Sequence, residues 1–350
     1  MTKLKIPPPF SCGLFLTYKC TGECRHCMYA CSSKWGSDWI SVEDAKVVLG
    51  QLSEKFRGVY PPSFRSIGIN YGFHFTGGEP FLNFDLLAKL TKIAKELEIP
   101  ATFVETNCFW CTDRGDCLRK LTELHEAGLD GILISVNPFT LEHVPLERAS
   151  LAVGASREIF GNNALVYQGG FYSQMKRIGV QGTMPFERTL EVVGPSVLEN
   201  LELLLRGRAA YRLGHLYPKY PASHFFRENC LEEFTRPWHV HVDNYLNYIP
   251  GYCGGISLGD AGDLDSICSG IELEERPILK ALVRGLGELY EFAKEFGYEE
   301  LPQGYVSKCH LCVDIRRHLA TERPEEFAEL KPQEFYWHLT ASSRRENISA

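Results

Sequence analysis

From about residue 12 to residue 205 the chain alternates two hydrophobic rhythms. Short apolar runs at 13–18, 66–75, 101–106, 131–136 and 164–168 are often β-branched and are bounded by Gly, Asn or Pro, which marks them as buried strands. Helical patterns lie between them. The first, 42–56, opens after Ser41 with Glu43 and Asp44 in its first turn: a capping hydroxyl, then acids that suit the positive end of a helix. The next, 84–97, follows Asn83 in the same way, and 118–127 stops at Gly128. Strand, helix, strand in this order predicts an α/β fold, a parallel sheet with helices outside that closes into a partial (β/α)6 TIM-like barrel. The loops that follow such strands gather on one side, so residues 20–31, 77–80, 107–117 and 137–143 should meet there.

After residue 205 Tyr, Pro, His and Gly become frequent; a hairpin is predicted at 239–249 and a long amphipathic helix at 277–296. The expected division is a barrel core at 10–205, a smaller α+β domain at 206–325, and a tail at 326–350 whose basic end, Arg344 and Arg345, reads as frayed. With 44% hydrophobic and 23% charged residues the balance is that of a globular protein. A net charge of -7 without clustered Lys and Arg gives no footprint for nucleic acid or anionic lipid. No stretch approaches the roughly 20 uncharged apolar residues of a membrane span, and the N-terminus lacks the apolar core of a signal peptide. A cytoplasmic protein is the expectation.

Thirteen cysteines then need another explanation than a disulfide framework, and metal binding or catalysis supplies one. Cys20, Cys24 and Cys27, in Cys-x3-Cys-x2-Cys spacing, can hold three irons of a 4Fe-4S cube and leave the fourth open. A zinc knot completed by Cys31 or His26 is the alternative. One strand later, Thr76-Gly77-Gly78-Glu79-Pro80 places two glycines at a strand end, where backbone can approach closely, beside a carboxylate and a rigid proline. Alone such a run is a turn. The two motifs in this order, within about residues 10–205, resemble the radical S-adenosylmethionine (radical SAM) family. The resemblance implies that Cys20, Cys24 and Cys27 hold the cluster, with the amine and carboxylate of S-adenosylmethionine on its fourth iron. It further implies that Gly77, Gly78 and Glu79 receive the methionyl amino group and that the backbone at Met28 meets the adenine. Ser135 and Asn137 match positions that contact ribose or carboxylate, a strand-end cap being the alternative, and His26 stands where the family usually has an aromatic residue. The implied reaction is reductive cleavage to a 5'-deoxyadenosyl radical that takes hydrogen from a substrate, with a flavodoxin- or ferredoxin-type electron donor.

Cys230, Cys253, Cys309 and Cys312 make a second full set, suited to zinc or to a 4Fe-4S cluster. The stretch from His239 to Cys253, followed by Leu258-Gly259-Asp260, resembles the auxiliary-cluster domains (SPASM or twitch) of many radical SAM enzymes, although their complete seven-cysteine pattern is absent. One auxiliary cluster is the expectation. Cys108, Cys111 and Cys117, with Cys31, form a candidate third cluster site, unligated thiols being the alternative; Cys12 and Cys268 remain as small hydrophobes. His239 and His241 share one face of a predicted strand and either line a pocket, act as acid and base, or pack as hydrogen-bonded residues. Arg206 and Arg208 read as a grip for carboxylate or phosphate, or as exposed helix-end charges; His143 and Tyr172 are weaker candidates. The expected function is a radical SAM enzyme acting on a peptide, protein or small-molecule substrate with an auxiliary cluster assisting. About ten residues precede the first strand, leaving no room for a leader-peptide domain, which weighs against a ribosomal peptide. The alternatives are a non-enzymatic iron-sulfur or zinc protein in electron transfer or assembly, and a methylating radical enzyme.

Overall fold

The computed structural model describes residues 2–61, 63–198, 201 and 203–340. Its strands are β1 (Lys3–Leu4), β2 (Ser11–Phe15), β3 (Gly72–Thr76), β4 (Thr102–Thr106), β5 (Gly131–Ser135), β6 (Ala164–Tyr167), β7 (Val240–Val242), β8 (Tyr248–Ile249) and β9 (Ile271–Glu272). Seven of them form one sheet in the order β6-β5-β4-β3-β2-β7-β8, parallel throughout except for the antiparallel edge β8. β1 pairs with β9 apart from it. The crossovers run through α1 (Val42–Phe56), α2 (Phe84–Glu96), α3 (Arg114–Ala127) and, after the one-turn α4 (Pro138–Leu141), through α5 (Leu146–Phe160). Side-chain caps start the first two helices where the sequence placed them, Ser41 and Asn83 each accepting a first-turn N–H; α3 begins at Arg114, four residues before its expected start, under the cap of Asp113, and ends as expected at Gly128, at φ 110°.

Along each strand the side chains alternate between the helices and the concave face. On β3, Phe73 and Phe75 join the large core under the helices. His74 meets the rings of Phe103, His239 and His241 on the other face, and Thr76 lines the cavity there. A separate small cluster of Ile67, Phe103 and Leu133 plugs the bottom of that face. The architecture is the expected parallel α/β partial barrel, six parallel strands with helices outside.

Three details differ from the sequence reading. The sixth parallel strand, β7, lies past residue 205 yet pairs with β2, so the sheet runs across the expected domain boundary. The helix expected at 277–296 is two, Pro277–Arg284 and Leu286–Lys294. At the break Leu286 and Gly287 give their N–H groups to the carbonyls of Glu228 and Phe226, exchanging helix bonds for a docked loop. Both pieces keep their apolar stripe, so periodicity alone joins them. The C-terminal stretch is packed as far as residue 340: Phe335 covers Gly254 and Gly255, and His338 stacks on Trp35 at 4.5 Å. Arg344 and Arg345 lie outside the described residues. No helix among the described residues is long and apolar enough to cross a membrane.

Candidate functional site

All the parallel strands point the same way, so the loops after β2, β3, β4 and β5 surround one cavity of about 640 Å³. Cys20, Cys24, Cys27 and Met28 line it from the first loop, Gly77 and Gly78 from the second, Ser135 from the fourth. The first two loops touch through backbone: Gly78 N–H donates to the Thr17 carbonyl at 2.7 Å and Glu79 N–H to that of Lys19 at 3.0 Å. A Cβ on Gly78 would stand 1.9 Å from the Lys19 oxygen, and Gly77, at φ 117°, would place one 2.4 Å from that of Thr17. The glycines are thus required first for loop-to-loop approach. The buried Glu79 carboxylate accepts from the Thr106 hydroxyl (2.9 Å) and from the N–H groups of Asn107 (2.8 Å) and Phe81 (3.2 Å). It staples the second loop to the third and is absent from the cavity wall, while burial pushes its carboxyl up to about 7.

The cysteine loop is held from behind by Arg208, which is 1% exposed. Its guanidinium donates to the carbonyls of Cys24 (3.1 Å), Ala30 (2.6 Å) and Cys31 (3.0 Å), and its own N–H donates to that of Cys27 (3.1 Å). The adjoining Gly207, at φ 51°, lies so close over the Met28 carbonyl that a Cβ would be 2.3 Å from it. Arg25 joins the same loop to Glu142 and Glu187. The Cys31 thiol donates to the Tyr29 carbonyl at 3.9 Å, and the neighbouring Cys31 thiol and Arg208 lower the Cys27 thiol to about 6. Burial raises Cys20 to about 12, and Asn107 Nδ2 donates to its sulfur at 3.6 Å. Buried and half-buried thiols beside a guanidinium, with an amide donor aimed at one sulfur, fit ligands of a metal cluster, whose iron supplies the charge that burial withholds. His26 stacks on Phe139 at 4.8 Å, filling an aromatic's place. Asn137 is used up as the cap of α4, accepting from Phe139 and Thr140, and its amide meets His26 Nε2 at 3.4 Å.

Cys230, Cys253, Cys309 and Cys312 do come together, around a smaller pocket that Arg206, Lys308 and Arg316 also line. Ser307 caps the helix Lys308–Glu322, presenting Cys309 and Cys312 in its first turns. The thiol of Cys230 feels the charge of the other three. Arg206 Nη1 and Arg316 Nε are buried there without a hydrogen-bond partner, donors left for anionic sulfur. The arginines are therefore neither exposed helix-end charges nor one grip: Arg208 serves the first loop and Arg206 the second set. Tyr252 lines both cavities and so forms their shared wall. Among the described residues no three His, Cys, Asp or Glu side chains are grouped so as to hold a single metal ion.

The third grouping does not form. Cys111 is joined to Cys117 in a disulfide, a single local bond where the sequence argued against a disulfide framework, and it takes two of the four expected ligands. The Cys31 thiol donates to the Tyr29 carbonyl, and Arg208 and the pairing of Ser32 with Lys19 fix its backbone. Cys108 is buried and nearest in charge to Glu79. Cys12 is buried on the helix-facing side of β2; Cys268 lies near Lys55 and Asp265. His143 packs against Gly22, and Tyr172 bonds to Ser150 away from the cavity.

The floor of the main cavity carries polar groups that sequence reading passed over. Glu105 lines it, accepting from Thr76 at 2.7 Å, and burial pushes its carboxyl up to about 7. Behind it stands His74, fully buried, its Nε2 3.7 Å from Glu105 and neither ring nitrogen hydrogen-bonded. Burial holds His74 neutral, so the pair is not a salt bridge. His239 and His241 line the floor as well as being packed and hydrogen-bonded. The available signal was the period-2 alternation that sets His74 with Thr76 and Phe103 with Glu105 on one face of adjacent strands.

Residues 14–148 match the Radical SAM superfamily. Among solved structures, BtrN in complex with AdoMet and 2-DOIA is 13% identical, covering 80% of this chain and 89% of that one, with a TM-score of 0.42. Native anSMEcpe with bound AdoMet and Cp18Cys peptide is 12% identical, covering 97% and 98%, with a TM-score of 0.35. No curated protein matches the chain.

Proposed function

From the match of residues 14–148 to the Radical SAM superfamily, we propose that this chain is a radical SAM enzyme that reductively cleaves S-adenosylmethionine at a 4Fe-4S cluster held by Cys20, Cys24 and Cys27 and takes hydrogen from a substrate in the cavity of β2 to β6. The non-enzymatic alternative is thereby set aside. With cluster and cofactor bound, one electron splits the sulfonium C–S bond to methionine and a 5'-deoxyadenosyl radical, which abstracts the substrate hydrogen. The observation that supports this reading is the backbone contact of the Gly77-Gly78 turn with Thr17 and Lys19, which sets the glycine motif beside the three thiols in one cavity.

The remaining roles belong to the chain. Arg208 and Arg25 hold the cysteine loop in one conformation, so the thiols are pre-positioned. Gly77 and Gly78 leave backbone free to receive the methionyl end, and Ser135 and the backbone at Met28 flank the nucleoside. Cys230, Cys253, Cys309 and Cys312 hold an auxiliary 4Fe-4S cluster, with the donors of Arg206 and Arg316 facing its sulfur, in a smaller domain at 206–325. A flavodoxin- or ferredoxin-type protein supplies the electron.

Anaerobic reconstitution with iron and sulfide, followed by dithionite and S-adenosylmethionine, should release 5'-deoxyadenosine and methionine, and Cys24→Ala should abolish both. A purified protein holding zinc at the three thiols would overturn the reading. Release of S-adenosylhomocysteine would assign the methylating branch instead.

A further inference from the structure

The cavity floor has a definite hydrogen-bonding polarity. His239 Nδ1 lies 2.6 Å from the Ile69 carbonyl and His241 Nδ1 3.0 Å from that of Gly251. A carbonyl only accepts, so both rings carry their proton on Nδ1 and keep Nε2 as a lone-pair acceptor. The rings are held in these poses at a cost: His239 sits in the left-handed region at φ 51°, a conformation that costs a non-glycine residue on the order of 1 kcal/mol or more. The Tyr29 hydroxyl, also donating to Gly251 O, buttresses His241 at 3.0 Å. Gly13 leaves the room they occupy, since a Cβ there would stand 2.6 Å from His241 Cδ2 and 2.4 Å from His74 Nε2.

Glu105 completes the set. One carboxyl oxygen accepts from Thr76; the other, near the unbonded His74, has no hydrogen-bonded donor. The floor thus offers three acceptors, and no Lys or Arg is among the described residues that line the cavity. Glu105, a quarter exposed to the cavity and raised by desolvation, has no cation beside it there, so a cationic ligand would favour its charged form. A substrate carboxylate or phosphate would meet lone pairs and a like charge; a hydroxyl could satisfy one acceptor of the three.

We propose that the floor formed by Glu105, His239 and His241 is a recognition subsite for a primary ammonium group, so that the substrate is an amine-bearing molecule whose –NH3+ binds there. This rests on reading the cavity as the substrate cavity. The ammonium supplies three donors to three acceptors and one positive charge to one carboxylate, and it leaves the carbon chain directed toward the thiol end. His74 backs the subsite by packing alone: its ring lies against those of His239 and His241, with Nε2 3.7 Å from the Glu105 carboxyl and not hydrogen-bonded to it.

The test is equilibrium binding by the holoprotein, read as the ligand-dependent rise in Tm, with primary amines from ethylamine to cyclohexylamine against the alcohols of the same carbon skeleton. At least one amine should raise Tm by about 2 °C or more in a saturable way while its alcohol does not. Glu105→Gln, which keeps an acceptor for Thr76, should lose that rise. Alcohols that match their amines, a panel without any amine effect, or a rise retained in Glu105→Gln would each overturn the proposal. A rise produced by Mn2+ or Fe2+ and lost in the same variant would overturn it in favour of a metal site. If Glu105→Gln fails to fold, the amine-alcohol comparison on the unaltered protein decides. Formation of 5'-deoxyadenosine is scored separately, so loss of cleavage with amine binding retained would strike the radical reading alone.

Discussion

Single side chains decide how well the cysteine loop is held. Arg208 satisfies three carbonyls that no water reaches, through a planar fork that a lysine cannot reproduce. Arg208→Lys should therefore cost about 1–3 kcal/mol, the penalty of leaving buried acceptors unpaired, and should lower the iron bound per chain. A urea midpoint and an iron assay check it; an unchanged midpoint would show that the loop holds itself. The three thiols were legible because their spacing is their chemistry. The role of Arg208 was not, since its partners lie 177 to 184 residues away along the chain and are carbonyls, which every residue carries. Glu105 and His74 escaped for a related reason: a lone ionisable residue in an apolar strand looks the same whether it faces a helix or a cavity. Asn137 had two readings from sequence, and its hydrogen bonds to Phe139 and Thr140 select the cap.

At the level of strands and helices, two glycines set distances between elements. Gly78 brings the loop after β3 against the loop after β2, where the obstacle to a side chain is rigid backbone. Gly78→Ala should separate the loops and weaken S-adenosylmethionine binding about tenfold or more, equivalent to about 1.4 kcal/mol, by calorimetric titration of the reconstituted protein. Gly13→Ala should instead push on His74 and His241 from β2, lowering stability by about 1–3 kcal/mol while S-adenosylmethionine affinity stays near the native value. A Gly13→Ala protein with altered cofactor affinity and native stability would contradict that assignment. The alternation of strands and helices was readable because each element shows its period and its cap within its own residues. The break at Gly285 was not, because Phe226 and Glu228, which take over its hydrogen bonds, lie in another segment. For the same reason no local pattern announces that β7 pairs with β2.

For the whole molecule, the buried titratable groups fix a pH profile. His239 and His338 are lowered to about 4, mainly by burial, and His74 and His241 lie well below the ordinary histidine value. From about pH 4 to 6.5 the unfolded chain binds protons that these folded rings refuse, so their contribution to stability rises with pH. Glu79 and Glu105, each raised to about 7, and Asp243, raised to about 6, act the other way: between about pH 4 and 7 the folded chain keeps protons the unfolded chain releases. These rings, together with His26 and His310, which are also lowered to about 4, outweigh the raised carboxyls, so stability should climb from pH 5 to about pH 7 and then level off as the unfolded histidines finish releasing their protons. Urea midpoints at pH 5, 6.5 and 7.5 would show it, and Glu105→Gln, which removes one opposing carboxyl, should steepen the climb between pH 5 and 7; a maximum below pH 5 would contradict the assignment. A last consequence comes from three consecutive residues. Arg206 faces the C-terminal thiols, Gly207 lies on the Met28 carbonyl, and Arg208 grips the cysteine loop. If both thiol sets take up metal as proposed, this short strap would couple them, and such linkage is reciprocal: whatever tightening one centre's occupancy gives the other, it receives back in equal measure.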